Sequence, residues 1–386
     1  MLADLVHGVE LSNHGQPLFE TTVVRTGANR AGRGSVGNSQ AASRVDEKSD
    51  GVPAPYQARC GSLCCAASDS FALFRTFAVT DHAPAAHPIE PPTDNLAAAF
   101  QIEGWPVRGR LVRLGEVVDK ILSAHDYPEP VAALLGEACV LAAIVGSALK
   151  FEGRLIVQAQ GDGPVRYVVA DYDTAGTLRG FCRFDPEEVA KASEGFVRPG
   201  AQTLLGKGVF IMTIDRGEDF ERTQGITPIE GESLSLCAEH YFTQSEQVPT
   251  KVRLAVGQVT TDAGTFWRAG GAMIQVIAGD EARGSTEEVW ERTRALFATL
   301  GDDELIDPTI SAETLLFRLF HEDGVRLEGA RPLAAVCRCS KERLVTVMQS
   351  FPPEDRAAMV EDDGMIHATC EYCSTVYKID PSEIEA

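Results

Sequence analysis

Cys337-Arg-Cys339 and Cys370-Glu-Tyr-Cys373 lie on either side of residues 340–369. Two close pairs of thiols joined by such a loop make a tetrahedral zinc site, because each pair grips one edge of the tetrahedron. Closing the loop costs about 3 kcal/mol by the logarithmic rule, whereas structural zinc binding contributes roughly 10–16 kcal/mol. Metal can therefore hold this segment together. Buried or disulfide-bonded cysteines would be expected in apolar runs, but the neighbours here are Arg338, Lys341, Glu342, Arg343 and Glu371. The spacing alone also suits a purely structural zinc module, although the one-residue spacer of the first pair is shorter than the usual two to four.

The chain has 386 residues, enough for two or three folded units, and 44% apolar content suffices for one sizeable core. Its 35 Lys and Arg stand against 56 Asp and Glu, a formal net charge of −21. Such an excess repels nucleic-acid backbones and anionic membranes, so neither is an expected partner. Ten cysteines and a start, Met-Leu-Ala-Asp-Leu-Val-His-Gly, that has neither a basic nor an apolar signal point to the cytoplasm. The longest apolar stretch, Val131–Leu149, is interrupted by Glu137 and reads as a buried helix, not a membrane span.

Residues 1–93 carry Gly, Ser, Asn and Pro without sustained periodicity and read as disordered or as an extension ahead of a mis-assigned start. The string Gly32-Arg-Gly34-Ser-Val-Gly37 matches a dinucleotide fingerprint but lacks the strand before it and the amphipathic helix after it. Residues 94–279 alternate strand-like and helix-like blocks. Leu155–Gln160 and Val165–Ala170 flank Gly161-Asp-Gly-Pro164, a hairpin signal whose glycines would permit positive φ. Helices are expected at Val131–Leu149 and Ser233–Phe242, and strands at Val252–Thr260 and Ala272–Ile277. Residues 280–330 read as a helical linker. There Ser285-Thr-Glu-Glu288 is a capping box, Val289, Trp290, Thr293, Leu296, Phe297 and Leu300 form one stripe, and Ser311 opens a second helix through Phe320. The acidic run Gly301–Glu304 reads as a solvated turn. The fold class is α+β, a mainly antiparallel-sheet core with packed helices, followed by the linker and a small C-terminal zinc-binding domain at residues 331–386.

Val336-Cys-Arg-Cys-Ser-Lys-Glu-Arg343 and Cys370-Glu-Tyr-Cys-Ser-Thr-Val-Tyr377 resemble the zinc-switch domain of the heat shock protein 33 family of redox-regulated holdase chaperones. Arg108–Leu114, Leu149–Arg154, Tyr241–Thr250, Gly270–Gln275 and Leu316–Glu322 also resemble segments of that family, in the same order. The resemblance runs from about Asp94 to the C-terminus. It implies a chaperone core at 94–279, a redox-sensitive linker, and one zinc ion held in the reduced form by Cys337, Cys339, Cys370 and Cys373. It implies an ATP-independent holdase for unfolding clients, activated by oxidation with zinc release and linker unfolding, and a homodimer when active. In the family the close partners pair, here Cys337 with Cys339 and Cys370 with Cys373; the sequence alone allows three connectivities.

An enzyme is not expected. Four cysteines leave no open position for a catalytic water, and Cys370-Glu-Tyr-Cys373 lacks the βαβ surroundings of a disulfide oxidoreductase. The alternatives are a zinc- or thiol-dependent enzyme and a zinc-stabilised regulatory factor. The latter would need a basic face, which Glu354, Asp355, Glu361, Asp362 and Asp363 oppose. His367 is near enough in sequence to replace a lost thiol ligand but reads as a surface residue; His321 is expected to pack against or cap the second linker helix. Cys139, Cys182 and Cys237 read as buried structural residues, and Cys60, Cys64 and Cys65 fall in the N-terminal segment. Ser245-Glu246-Gln247 has catalytic residue types without a placed histidine and reads as structural.

Overall fold

The computed structural model describes residues 9–11, 94–217, 219–277 and 286–385. The glycine string at 32–37, Cys60, Cys64, Cys65 and Ser285 lie outside the described residues. In chain order the elements are β1 (Val9–Leu11), β2 (Leu96–Ile102), β3 (Val107–Leu114), α1 (Glu116–Leu122) and α2 (Glu129–Gly146). Then come β4 (Arg154–Gly161), β5 (Val165–Asp173), β6 (Thr177–Phe184), α3 (Pro186–Ala192), α4 (Ala201–Leu205), β7 (Gly208–Asp215) and β8 (Thr223–Pro228). Helix α5 (Leu234–Tyr241) precedes the hairpin β9 (Thr250–Thr261) and β10 (Gly264–Val276). The linker forms α6 (Thr286–Phe297), α7 (Asp302–Ile306) and α8 (Ala312–Phe320), followed by β11 (Val325–Pro332) and β12 (Ala334–Ala335). The tail holds α9 (Lys341–Gln349), α10 (Pro353–Ala358), β13 (Ile366–Cys370), β14 (Val376–Ile379) and α11 (Pro381–Ile384).

Helix α2 explains the apolar stretch. Val131, Leu135, Cys139, Leu141 and Ile144 are fully buried, because α2 is hidden between two sheets and has no solvent face to make polar. It is long and apolar enough to cross a membrane, yet most of it is covered by protein. The first of three sheets runs β11-β2-β3-β10-β9, the second β12-β6-β5-β4-β7-β8 and the small third β1-β13-β14, all antiparallel except where β12 joins β6. This is an α+β architecture. The adjacent Gly270 and Gly271 of β10 let helices approach from both sides. A Cβ on Gly270 would lie 2.3 Å from the Leu305 carbonyl oxygen of α7, and one on Gly271 would lie 2.6 Å from Val140 of α2.

The β4–β5 hairpin forms as the sequence suggests, but its glycines have a different reason. Neither Gly161 nor Gly163 has positive φ. The α4 backbone passes so close that a Cβ would sit 2.0 Å from the Leu205 oxygen at Gly161 and 2.5 Å from the Leu204 oxygen at Gly163.

The outer face of the first sheet is covered by the linker. Phe100, Leu111 and Ile274 of the sheet meet Trp290, Phe297, Leu305, Leu315 and Phe320 in one apolar cluster, with the Phe100 and Phe320 rings 6.0 Å apart. Ser311 caps α8 by accepting the Thr314 N–H, and His321 ends it with Nδ1 3.1 Å from the Phe317 oxygen. Two features of the linker differ from the sequence reading. The acidic run is a helix start, not a turn: Glu304 reaches back to the Gly301 N–H at 3.2 Å, and Leu305 is buried behind it. Residues 325–332 are a strand, because Val325 and Leu327 alternate with Arg326 and Glu328 and pair with the free edge of β2.

Two guanidiniums of the first sheet hold the end of α7. Arg268 donates to the Ile306 oxygen at 2.7 Å and pairs with Asp94 at 2.6 Å, while buried Arg113 donates to the Glu304 and Asp307 carbonyls. Cations at a helix C-terminus satisfy its orphan carbonyls and its dipole.

Candidate metal centre

The chain leaves the first sheet at β11, crosses in β12 to the edge of β6, and reaches Cys337 one residue later. Val336 donates its N–H to the Leu178 oxygen at 3.2 Å, so the first cysteine pair starts from a fixed point on the second sheet. Ser340 then caps α9 by accepting the Arg343 N–H, which turns the chain away immediately after Cys339. The second pair is set by a tight turn between β13 and β14. Ser374 N–H bonds the Cys370 oxygen at 2.8 Å, Cys370 N–H bonds the Thr375 oxygen at 3.0 Å, and Ser374 takes a left-handed φ of 55°.

The four thiol sulfurs come within 4.8 Å of one another, with Cys337 Sγ 3.7 Å from Cys370 Sγ and Cys339 Sγ 3.4 Å from Cys373 Sγ. Tetrahedral zinc with bonds of about 2.3 Å needs sulfurs about 3.8 Å apart, so the donor set fits that ion. Tyr377 Oη donates to Cys339 Sγ at 3.1 Å, and Thr375 Oγ1 lies 3.2 Å from Cys373 Sγ. Such outer hydrogen bonds orient the ligands. Hydrogen bonding from Cys370 holds the Cys337 thiol down at about 4, while burial pushes Cys339 up to about 11. The bond to Cys337, with burial, raises Cys370 as well. Four sulfurs this close, with the Tyr377 and Thr375 hydroxyls at two of them, suit a divalent cation, which would hold them as thiolates.

His367 does not join the cluster. Its Nδ1 lies 3.3 Å from Glu361 and its Nε2 3.0 Å from Asp363, on the acidic loop. Cys139, Cys182 and Cys237 are buried in the α2 layer, where desolvation pushes Cys139 up to about 12 and Cys237 up to about 11. Ser245, Glu246 and Gln247 sit at an exposed π-helical turn that ends in left-handed Gln247.

The cluster rests on the outer face of the second sheet through residues whose partners the sequence did not reveal. Arg338, between the first two cysteines, pairs with buried Asp171 and lies 3.5 Å from Asp173; Asp171 also accepts Arg179 at 2.9 Å. Tyr372 packs its ring 4.6 Å from Phe181, with the Arg179 guanidinium 4.0 Å over it. Glu371 pairs with Arg183 at 3.3 Å and accepts His125 Nε2 at its carbonyl at 2.6 Å. The only sequence signal for this contact was period-two alternation in β6, which puts Arg179, Phe181 and Arg183 on one face and Leu178 and Cys182 on the other.

The Hsp33 protein family profile matches residues 95–380. The 33 kDa chaperonin of Caulobacter vibrioides strain NA1000 / CB15N is 70% identical over 288 residues, covering 75% of this chain and 95% of that protein. The 33 kDa chaperonin of Escherichia coli strain SMS-3-5 / SECEC is 33% identical over 285 residues, covering 74% and 92%. The crystal structure of the Thermotoga maritima 33 kDa chaperonin superposes with a TM-score of 0.63 at 23% identity, over 75% of this chain and 97% of that one, and so shares the fold. On the extent of the profile match and the identity to these relatives, the chain belongs to the Hsp33 family.

Proposed function

We propose that this protein is a redox-regulated, ATP-independent holdase that binds unfolding clients in the cytoplasm and is dimeric when active. Family membership supports a chaperone that binds client proteins. The observation that carries the finer reading is continuity: the cysteine cluster and the cover of the first sheet are one uninterrupted stretch of chain, α6 to β14.

The metal, when bound, would supply the cross-link that folds the tail and would keep all four sulfurs as thiolates. Cys337, Cys339, Cys370 and Cys373 are its proposed ligands. Each disulfide forms when two thiolates give two electrons to one peroxide. The peroxide O–O bond breaks and, with two protons, two waters leave. Sulfurs joined in disulfides are poor zinc donors. We assign the pairs as Cys337 with Cys339 and Cys370 with Cys373. These are the pairs that the family resemblance implies; the nearest sulfurs in the folded cluster cross them. The tail's own apolar core is small: Leu344, Met348, Ile366, Ala368, Ile379 and Ile384. Inverting a two-state equilibrium takes about 5.5 kcal/mol, less than the roughly 10–16 kcal/mol that structural zinc contributes, so its loss suffices to unfold the tail. Release of α6 to α8 then bares Phe100, Leu111 and Ile274, an apolar surface suited to unfolded chains.

The test is light scattering of a thermally unfolding client, with the reduced zinc-loaded protein or with protein oxidised until zinc is lost. Suppression by the oxidised form alone is expected. Equal suppression by both forms, or none by either, overturns the switch. Peptide mapping of the oxidised protein checks the disulfide pairs.

A further inference from the structure

The face of the second sheet beneath the cysteine cluster is met by a short segment of the chain's own tail. Arg179, Phe181 and Arg183 point outward from β6, opposite Asp171, Val169 and Tyr167 of β5. Phe181 is 2% exposed and Val169 4%, yet neither belongs to the core around α2. Tyr372 of the Glu371-Tyr372 dipeptide between Cys370 and Cys373 packs against Phe181. The Tyr372 ring meets Phe181 edge-on at 66° and lies under the Arg179 guanidinium; Phe181 in turn meets Tyr167 edge-on at 5.5 Å. The Glu371 carboxylate pairs with Arg183, and its carbonyl takes the His125 Nε2 proton. Aromatic ring, carboxylate and main-chain oxygen are thus each met by a different group of the core.

We propose that this face is a second client-binding surface, selective for an acidic residue followed by an aromatic one, and that Glu371-Tyr372 occupies it as a tethered stand-in while the cluster is intact. The inference rests on the holdase reading above, because the seat empties only when the turn between Cys370 and Cys373 loses its shape. That turn depends on the 2.8 Å bond from Ser374 N–H to the Cys370 oxygen and on Ser374 in its left-handed conformation. Sulfurs taken into disulfides no longer supply the cross-link that folds the tail, and the turn would lose its shape with that fold. Ser374 Oγ, which donates to the Ala124 oxygen at 2.6 Å, would release with it. The vacated face offers Phe181 flanked by two guanidiniums. It is unlike the apolar surface under the linker helices, and it suits segments that a purely apolar site would repel.

The experiment uses the full chain, oxidised or reduced, and fluorescein-labelled peptides that contain Glu-Tyr, Lys-Tyr or Glu-Ala in an otherwise identical Gly-Ser background. Fluorescence anisotropy is expected to show the Glu-Tyr peptide binding the oxidised protein at least about tenfold more tightly than either control, and the reduced protein hardly at all. Phe181→Ala should abolish the preference. Arg183→Glu should transfer it to the Lys-Tyr peptide, a reversal that misfolding cannot imitate. Equal binding of all three peptides, or an Arg183→Glu protein that still prefers Glu-Tyr, overturns the proposal. Client suppression without peptide preference would leave the holdase reading standing and remove this surface; preference without client suppression would remove the holdase reading and, with it, the surface's role in binding clients.

Discussion

Single side chains in this fold are tuned chiefly by burial. Glu137 on α2 accepts the Leu234 N–H at 3.2 Å, and desolvation pushes its carboxyl up to about 7. A carboxyl raised in the folded state favours the protonated form. Its contribution to stability is therefore full below about pH 4.5 and is lost as pH rises through 7. Glu137→Gln keeps an acceptor and should remove that loss, raising stability at pH 8 by up to about 3 kcal/mol over wild type in urea titrations. No gain at pH 8 would show that the carboxylate is solvated. The buried thiols give a second prediction. With Cys139 at about 12, only about one molecule in ten thousand is a thiolate at pH 8. Brief alkylation of the chelated, reduced protein should label Cys337 well before Cys139, Cys182 or Cys237, as read by mass spectrometry. The four sulfurs of the cluster were legible in the sequence because ligand spacing is local. Arg113 was not, since its partners at the end of α7 lie 191 and 194 residues away, nor was the pairing of Arg268 with Asp94 across 174 residues, because no periodicity links them.

Among the elements, α7 shows where the linker is fixed to the core. The Ile306 carbonyl is held by Arg268, and the Glu304 and Asp307 carbonyls by Arg113. Arg268→Ala removes a charged donor and leaves the Ile306 oxygen without it, a loss of about 1.5–3 kcal/mol. Amide exchange in residues 302–307 should then quicken by about tenfold or more in the reduced, zinc-loaded protein, with α2 unchanged. An unchanged rate would mean that Arg113 and the Gly270 contact secure α7 without Arg268. The sequence made α2, α5, α8, β9 and β10 legible, because their apolar spacing or serine caps are local signals. It concealed α7, whose Asp302-Asp-Glu304 start looks like a polar turn until Glu304 folds back. It concealed β11 as well: only two of its residues, Val325 and Leu327, face the apolar cluster, and the partner strand β2 lies at the other end of the folded chain.

At the scale of the molecule, α2 is a shared floor for two sheets whose outer faces are both covered by the C-terminal third of the chain. The linker covers one and the cysteine cluster the other. Stability is therefore uneven by construction. A zinc chelator applied to the reduced protein should speed exchange across β13, β14 and α9 to nearly unprotected rates while α2 and β5 keep their protection. Equal loss in α2 would make the fold one cooperative unit and contradict this layering.

Val336, between β12 and Cys337, together with the cluster that joins Cys337 to Cys370, also sets a concentration. A short tether presents its attached group at an effective concentration in the millimolar range. Glu371-Tyr372 thus competes for the Phe181 face at a strength that no micromolar polypeptide of equal affinity can match. While the turn keeps its shape, a cell crowded with nascent chains does not saturate this face; once the turn is lost, the same chains meet it with no rival at hand.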